Sequence, residues 1–433
     1  MNGSAGTKRN CGRSYEKRFS RRQPVAKRLI FATASFLAGL GNYAFQGIIG
    51  RQLGQASGEY GLVLTTLSFA QLLGLPLAIA AAAVSHYIAR FNFSGDDARR
   101  HGLLTGCRRF LFHLTVAGSV IAVILVKPLS DFFQRAGLML VALMCVLAGL
   151  WSSFVTAPCQ GLAWFKRLAL IGLLAVILRI LFGWLATRIW HVAELAVLAS
   201  AVMLLANLVL LFWKKDFPRR TGAAISPWTG EFTQFLVVSA ASVFGTYCLN
   251  RGDLLVAQRN NFPGASLSAY SAAGLLARAL PMVVAPLLTV LFTHRSGQHH
   301  GDALQEQLKL LGLYAAGLIG GVIALFILRD FCVQLIFGKP APEAAAMIGR
   351  FAPAMVFVGL LQALGMWSLA SRWIKLALFY GALGLACWLT LLAFGKTSAA
   401  LLQTMPVAAG TAFGMLFIVW LVALRRHKLV AQS

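Results

Sequence analysis

The sequence predicts an all-α polytopic membrane protein, and three observations lead to this fold class. Hydrophobic residues make up 58% of the 433 residues and charged residues only 12%, whereas a soluble domain is typically about 45–50% apolar and about 25% charged. The apolar residues lie in long stretches separated by short connectors. The chain has 39 Lys and Arg against 13 Asp and Glu, a net charge of +26. This composition excludes intrinsic disorder, and a chain this long with seven cysteines is not a secreted disulfide scaffold.

Twelve stretches are long enough to cross a bilayer, for which an α-helix needs about 20 mainly apolar residues. They cover residues 29–50, 61–83, 107–127, 136–158, 168–188, 194–213, 232–257, 267–292, 308–328, 344–370, 373–394 and 397–424. Each stretch is solidly apolar rather than alternating, which favours helices over the strands of a membrane barrel. We therefore expect about 12 transmembrane helices and no second, soluble domain.

The basic residues predict the orientation of the chain. With the N-terminus inside, 27 of the 39 Lys and Arg lie on the cytoplasmic side, 8 lie on the opposite side and four lie within spans. Cytoplasmic loops are enriched in positive residues, so both termini are predicted to be cytoplasmic. Most of the surplus charge thus reflects topology, and we expect no nucleic-acid partner. The basic tail 1–28 is expected to contact anionic membrane lipids.

A cytoplasmic linker at 214–231 divides the spans six and six. It predicts an N-terminal six-helix bundle at 29–213, a C-terminal six-helix bundle at 232–424 and a cytoplasmic tail at 425–433.

The two halves also share an order of features. Tyr60 opens the second span and Pro76 lies 16 residues on, while Tyr270 opens the eighth span and Pro286 lies 16 residues on. This likeness indicates a duplication, which is a common plan of transporters with a substrate path between the halves.

Ordered motifs in both halves resemble those of a known transporter family. In the first half they are Asn42-Tyr43, Arg51-Gln52-Leu53-Gly54, Gly58-Glu59-Tyr60-Gly61-Leu62, Leu73-Gly74-Leu75-Pro76 and Tyr87-Ile88-Ala89-Arg90. In the second half they are Asn250-Arg251-Gly252-Asp253-Leu254-Leu255, Leu267-Ser268-Ala269-Tyr270-Ser271-Ala272-Ala273 and Leu335-Ile336-Phe337-Gly338. In this order they resemble the polysaccharide (O-antigen-type) flippases of the multidrug/oligosaccharidyl-lipid/polysaccharide exporter superfamily. The last two spans match only by hydropathy.

This resemblance implies two pseudo-symmetric six-helix bundles around a central cavity. It also implies that the protein moves a lipid-linked glycan from the inner to the outer leaflet of a bacterial inner membrane, by alternating access. Such transport would serve the biosynthesis of a surface polysaccharide, such as lipopolysaccharide or exopolysaccharide. A polysaccharide polymerase and glycosyltransferases are the partners to expect.

Four charged residues lie deep within the predicted spans: Arg179, Arg251, Asp253 and Arg278. A charge at the bilayer centre costs about 2.5–3.5 kcal/mol on insertion scales, so such residues usually face a cavity or a partner. The seventh span also has a polar stripe on one helical face, formed by Ser239, Ser242, Thr246, Asn250 and Asp253. The stripe indicates either a cavity wall or a helix–helix contact with an Arg–Asp pair.

Cationic cavity residues suit an anionic cargo, because arginine binds phosphate through a planar fork and keeps its charge. We predict that the pyrophosphate of a polyprenyl-linked glycan is attracted by Arg179, Arg251 and Arg278. Four further residues are predicted to lie near the glycan: Asn42, Gln46, Tyr247 and Asn250.

Asp253 is the one carboxylate placed deep in a span, and two interpretations of it remain open. It is the first candidate for coupling to H⁺ or Na⁺ if transport uses an ion gradient, or it only pairs with a nearby arginine. The predicted eleventh and twelfth spans contain no acid, so the whole cation site of some superfamily members does not transfer. We expect no cofactor and no metal site.

Two other classes of protein are alternatives to a flippase. A multidrug or cation antiporter of the same superfamily would favour acidic or aromatic cavity walls, whereas the deep charges here are mostly arginine. A membrane glycan polymerase or ligase would generally need a large outer loop with catalytic groups, and the outer connectors here have at most about 15 residues. The sequence also lacks a phosphate-binding P-loop, so the chain is predicted not to be an enzyme and not to hydrolyse ATP.

Overall fold

The computed structural model describes residues 25–432 except 134, 163, 213–229, 296–302 and 371–372. Within these ranges the chain forms helices and no strand. In chain order the helices are α1 (Val25–Leu53), α2 (Glu59–Ser94), α3 (Asp97–Phe133), α4 (Ala136–Gly161), α5 (Phe165–Trp190), α6 (Ala193–Phe212), α7 (Gly230–Arg259), α8 (Gly264–Arg295), α9 (Ala303–Ile327), α10 (Arg329–Phe337), α11 (Pro342–Ala370), α12 (Ile374–Phe394) and α13 (Ser398–Gln432).

The predicted all-α membrane architecture is confirmed. Each predicted span overlaps one long helix, and eight helices in the described part of the chain are long and apolar enough to cross a membrane. The chain is therefore a multi-pass membrane protein, while the count of twelve spans stays a prediction. Helix α10 has nine residues and was not predicted, because it is too short to span and buries only Val333, Ile336 and Phe337.

The helices pack in two sets that repeat the same pairings. In the first set α1 packs on α5, α2 on α4, α4 on α6 and α5 on α6; in the second α7 packs on α12, α8 on α11, α11 on α13 and α12 on α13. Helix α3 packs on α4 as α9 packs on α11. The repetition agrees with two pseudo-symmetric bundles. The boundaries of the halves stay predictions, because residues 1–24 of the basic tail and nearly all of the linker lie outside the described residues.

Glycines allow α7 and α12 to approach closely. A Cβ built on Gly384 would lie 2.6 Å from the Cα of Gly245, and one built on Gly381 would lie 2.6 Å from the carbonyl oxygen of Ala241. Close backbone approach through small residues is a common way for membrane helices to associate, because lipid provides no hydrophobic drive between helices. The glycines of this contact thus hold the first helix of the second bundle in place.

We expect Gly384→Ala to lower the thermal midpoint of the purified protein by several degrees. The added methyl meets backbone atoms that cannot rotate away, and overpacking typically costs about 1–3 kcal/mol. The control is Gly414→Ala, because a Cβ at Gly414 meets no atom of the described chain within 4 Å. Thermal unfolding in detergent, followed by fluorescence, checks both variants, and an equal loss in the two would contradict the prediction.

The two sets meet mainly along α2, which packs against α7 and α8. A Cβ built on Gly58 would lie 2.7 Å from the Cα of Gly264, and the backbone N–H of Gly61 donates a hydrogen bond to Ser268 Oγ at 3.1 Å. We call this junction between the starts of α2 and α8 the closed end. In the predicted topology the closed end faces away from the cytoplasm.

Side chains from α1 and the loop after it join the second set at the same end. Arg51 Nε donates a hydrogen bond to the carbonyl oxygen of Leu335 at 2.8 Å, and Gln55 Nε2 donates one to Glu343 Oε2 at 3.2 Å. Helix α10 therefore serves as a docking element for α1.

Within the first set, hydrogen bonds to Glu59 connect three loops at the closed end. Its carboxylate accepts hydrogen bonds from both terminal nitrogens of Arg135, at 3.0 and 2.6 Å, and from the backbone N–H of Ala193 at 2.8 Å. The hydrogen bonds to Glu59 raise the pKa of the Arg135 guanidinium, with Glu194 contributing further. The Arg135 guanidinium at this end therefore stays charged at any physiological pH.

Away from the closed end, the contact between the sets is one-sided. Helix α2 packs on α7 along its length, and near its other end the ring of His86 stacks on Phe235 at 5.0 Å. By the repeat, the counterpart of this pair is α8 with α1, but those two helices meet little within the described residues. The methyl of Met282 lies against Gly39, and the neighbouring Phe36 is exposed. We call this weakly packed side the α1–α8 cleft.

Candidate functional site

A charged cluster joins α7 and α8 in the second set. Asp253 Oδ2 accepts a hydrogen bond from the hydroxyl of Tyr270 at 2.6 Å and another from the guanidinium of Arg278. The side chain of Asp253 is 1% exposed and that of Arg278 is 4% exposed. The guanidinium carbon of Arg278 also lies 5.0 Å from the centre of the Phe351 ring on α11. The pair is thus buried, and it neutralises one of the three deep arginines.

A second deep arginine, Arg179, lies in the first set and has no carboxylate partner among the described residues. Arg179 on α5 donates a hydrogen bond to Asn42 Oδ1 on α1 at 2.6 Å, and its guanidinium carbon lies 4.1 Å from the centre of the Phe45 ring. Arg179 is 8% exposed, and its Nε has no hydrogen-bond partner in the described part of the chain. No described acid forms an ion pair with it. Within the described chain, its guanidinium meets an amide oxygen and a ring face.

Arg251 lies between these two groups. It interacts electrostatically with Arg278 and Asp253 in its own set, and with Tyr43 and Arg179 of the first set. Its side chain is half-buried, and among the described residues it has no hydrogen-bond or ion-pair partner. Among the described residues, three guanidinium groups from both sets therefore share one region with a single carboxylate, which leaves an excess of positive charge.

The region lies well inside the bundle. Arg278 is 14 residues from the start of α8 at Gly264, or about 21 Å at 1.5 Å per residue. Arg251 is eight residues from the end of α7 at Arg259, or about 12 Å. Both arginines thus lie below the closed end, at depths where the bilayer would otherwise be apolar.

The other predicted site residues have different surroundings. Tyr247 donates its hydroxyl to the carbonyl oxygen of Ser68 on α2 at 2.8 Å, and Asn250 donates its amide to Thr246 of its own helix at 2.9 Å. Gln46 is half-buried, and its Oε1 has no hydrogen-bond partner in the residues described. The roles predicted for these residues near a glycan stay predictions.

The polar stripe on α7 is divided between two environments. Asp253 at one end belongs to the charged cluster, whereas Thr246 shares a hydrogen bond of 2.8 Å with the hydroxyl of Tyr380 on α12. The helix-contact interpretation therefore applies to Thr246.

The aromatic partners of the site were not predicted from the sequence. Tyr270 lies eight residues before Arg278, about two helical turns, so both lie on one face of α8. That spacing could have identified Tyr270. The rings of Phe45 and Phe351 have no comparable signal, because each meets its arginine from a different helix.

No family model matches the sequence, and no curated protein matches it. Solved structures match by fold. One is the inward-facing conformation of a multidrug resistance MATE family transporter of the MOP superfamily, with 13% identity, a TM-score of 0.65, and coverage of 90% of this chain and 96% of that one. Another is lipid II flippase MurJ in an inward closed conformation, with 12% identity, a TM-score of 0.69, and coverage of 90% and 87%. A eukaryotic MATE transporter, AtDTX14, matches with 16% identity, a TM-score of 0.54, and coverage of 93% and 97%.

At these identities the likeness shows the fold alone. The chain shares the fold of these transporters, and the superfamily named from the motifs stays a prediction. The narrower resemblance to polysaccharide flippases stays a prediction.

Proposed function

We propose that this chain is a membrane transporter that moves a polyprenyl-pyrophosphate-linked oligosaccharide across the bacterial cytoplasmic membrane by alternating access. The observation that supports an anionic cargo is the set of deep arginines with too few acids. Arg179 and Arg251 have no carboxylate partner among the described residues, and the one deep carboxylate there, Asp253, pairs with Arg278.

A buried charge without a partner is costly. Removing a charged group from water costs several kcal/mol, and a partner normally offsets that cost. Two guanidinium groups without an acid are therefore an expensive arrangement unless an anion joins them for part of the transport cycle. The phosphates of the cargo provide that anion, and arginine is the side chain that matches phosphate best.

The α1–α8 cleft supports a cargo with a lipid tail. A polyprenyl chain is as apolar as the bilayer, so it can stay in the membrane only if the site opens sideways. Tyr43 of α1 interacts electrostatically with both Arg251 and Arg278, so α1 lies close enough to these arginines to interact with them. We propose that the pyrophosphate binds there while the tail extends through the cleft, and that Asn42, Gln46 and Asn250 are close to the sugars.

The test is transport by the purified protein in proteoliposomes. A short oligosaccharide on a polyprenyl pyrophosphate is expected to become accessible to an enzyme on the opposite face, faster than in protein-free vesicles. The same oligosaccharide on an uncharged polyprenol is the matched control and is expected to stay where it was placed. Equal rates for the two lipids would contradict recognition of the phosphates.

A second candidate is a multidrug or cation antiporter, and one observation favours it. Asp253 Oδ1 is buried without a hydrogen-bond partner in the described chain, so a carboxylate oxygen is free to meet a cation. The fold is also found in multidrug MATE transporters. Uptake of a cationic dye by the same proteoliposomes, driven by a Na⁺ or H⁺ gradient, would favour this function if the proteoliposomes do not transport the pyrophosphate lipid.

A further inference from the structure

We propose that Asp253 is an internal substitute for the cargo phosphate: its carboxylate occupies Arg278 in the empty transporter, and the cargo displaces it. This inference rests on the proposed function and adds that Asp253 competes with the cargo phosphate for Arg278. It assigns Asp253 a role different from a pure ion site or a structural pair.

The geometry of the pair is incomplete in a way that a structural pair usually is not. A structural Arg–carboxylate pair is often bidentate, with two parallel hydrogen bonds. Here one carboxylate oxygen of Asp253 accepts from Arg278, while its Oδ1 has no partner within the described chain. Two nitrogens of Arg278, Nε and Nη1, are also buried without a partner there. Arg278 therefore retains donors without a hydrogen-bond partner in the described chain, and in this proposal the anion of the cargo uses them.

The charges around Asp253 favour replacement by a stronger anion. The groups that interact with the carboxylate are Arg278 and Tyr270 on α8, and Arg251 and Tyr247 on α7. The two arginines repel each other, and one carboxylate does not balance both. A pyrophosphate carries more negative charge and more acceptor oxygens than a carboxylate, so it satisfies both arginines at once.

Tyr270 makes the exchange possible. When the cargo phosphate binds Arg278, the carboxylate of Asp253 loses its partner and stays buried. An unpaired buried carboxylate is costly. The hydroxyl of Tyr270 continues to donate to Asp253 Oδ2 and lowers that cost. Tyr270 is thus a positioning residue that acts through Asp253, without contact to the cargo.

The first test is the affinity of Asp253→Asn for farnesyl pyrophosphate. Asparagine has nearly the same shape, and its amide oxygen still accepts from Tyr270, but it has no charge to hold Arg278. We expect binding about tenfold tighter than in the wild type, because the competing charge is gone. Calorimetry on protein in phosphatidylcholine nanodiscs measures this without anionic lipid headgroups, and farnesol serves as the uncharged probe.

The second test is Tyr270→Phe, for which the shift is expected in the opposite direction. The displaced carboxylate loses its remaining hydrogen bond, so displacement becomes more costly and farnesyl pyrophosphate binds about tenfold more weakly. The matched control is Tyr314→Phe, a fully buried tyrosine whose hydroxyl has no hydrogen-bond partner among the described residues. Its affinity is expected to equal that of the wild type. Because phenylalanine differs only by the hydroxyl, this test remains if Asp253→Asn does not fold.

The outcomes separate this inference from the proposed function. Opposite shifts for the two variants, with unchanged farnesol binding, support the exchange. Wild-type binding of farnesyl pyrophosphate with equal affinity in Asp253→Asn and Tyr270→Phe overturns the exchange and leaves the proposed function intact. If no protein binds farnesyl pyrophosphate more tightly than farnesol, the proposed function itself fails and the inference fails with it.

Discussion

Arg251→Ala is expected to abolish transport of the pyrophosphate-linked cargo while leaving the protein as stable as the wild type or more stable. The side chain has no hydrogen-bond or ion-pair partner in the described chain, so its removal leaves no group unpaired. Loss of a charge-assisted contact to phosphate costs about 1.5–3 kcal/mol per hydrogen bond, and two such bonds correspond to roughly 100-fold or more in affinity. Transport in proteoliposomes and thermal unfolding of the same preparation measure both effects.

Two further variants complete this prediction. Arg278→Ala is expected to abolish transport but also to lower the thermal midpoint, because it leaves the carboxylate of Asp253 buried and unpaired. The control is Arg188→Ala, which removes an exposed arginine over the ring of Trp184 near the end of α5 and should transport normally. Normal transport by Arg251→Ala at a normal protein level would show that this arginine does not bind the cargo.

Gly58→Ala is expected to slow transport about tenfold by preventing full closure of the closed end. Gly58 has a φ of 77° and a Cβ there would lie 2.7 Å from the Cα of Gly264, so backbone would have to move. Such overpacking costs about 1–3 kcal/mol in the closed state only, since the halves separate there when that end opens. The population of the closed state falls accordingly. The reactivity of a cysteine placed at the buried Ser268, in a background without other cysteines, is expected to rise.

The chain offers a matched control for this effect. Gly54 also has a positive φ, of 71°, but a Cβ there meets no atom of the described chain within 4 Å. Gly54→Ala therefore introduces the same left-handed strain without the contact between halves, and we expect near-normal transport and an unreactive cysteine. If both variants slow transport equally, backbone strain in the loop is responsible and the contact with Gly264 is not.

The architecture was largely predictable because one physical requirement dominates it. A backbone in lipid must satisfy its own hydrogen bonds, so long apolar stretches become helices and each predicted span overlaps one. Helix α10 was not predicted, because a nine-residue amphipathic segment does not span the bilayer and therefore has no long apolar stretch in the sequence. Its role in docking α1, through Arg51 and Leu335, depends on residues 284 positions apart.

The candidate site was predictable only as a set of residue types. The cost of burying charge identified Arg179, Arg251, Asp253 and Arg278 as candidate site residues, but their spacing along the chain did not indicate which of them form pairs. Asp253 and Arg278 are on different helices and meet because α7 and α8 pack in one set, whereas Arg179 meets Asn42 through the contact of α1 with α5.

By itself, the sequence determined that this chain is a helical, multi-pass membrane protein with four charges deep in its spans, because hydropathy and charge cost act locally along a chain. Only the tertiary structure decided that Arg278 is neutralised, that Arg179 and Arg251 have no acid partner in the described chain, and that away from the closed end the halves meet on one side. The reason is that the pairing of charged side chains depends on which helix faces are brought together. In lipid, the shapes of packed residues such as Gly245 and Gly384 decide which faces meet, and no local sequence pattern does.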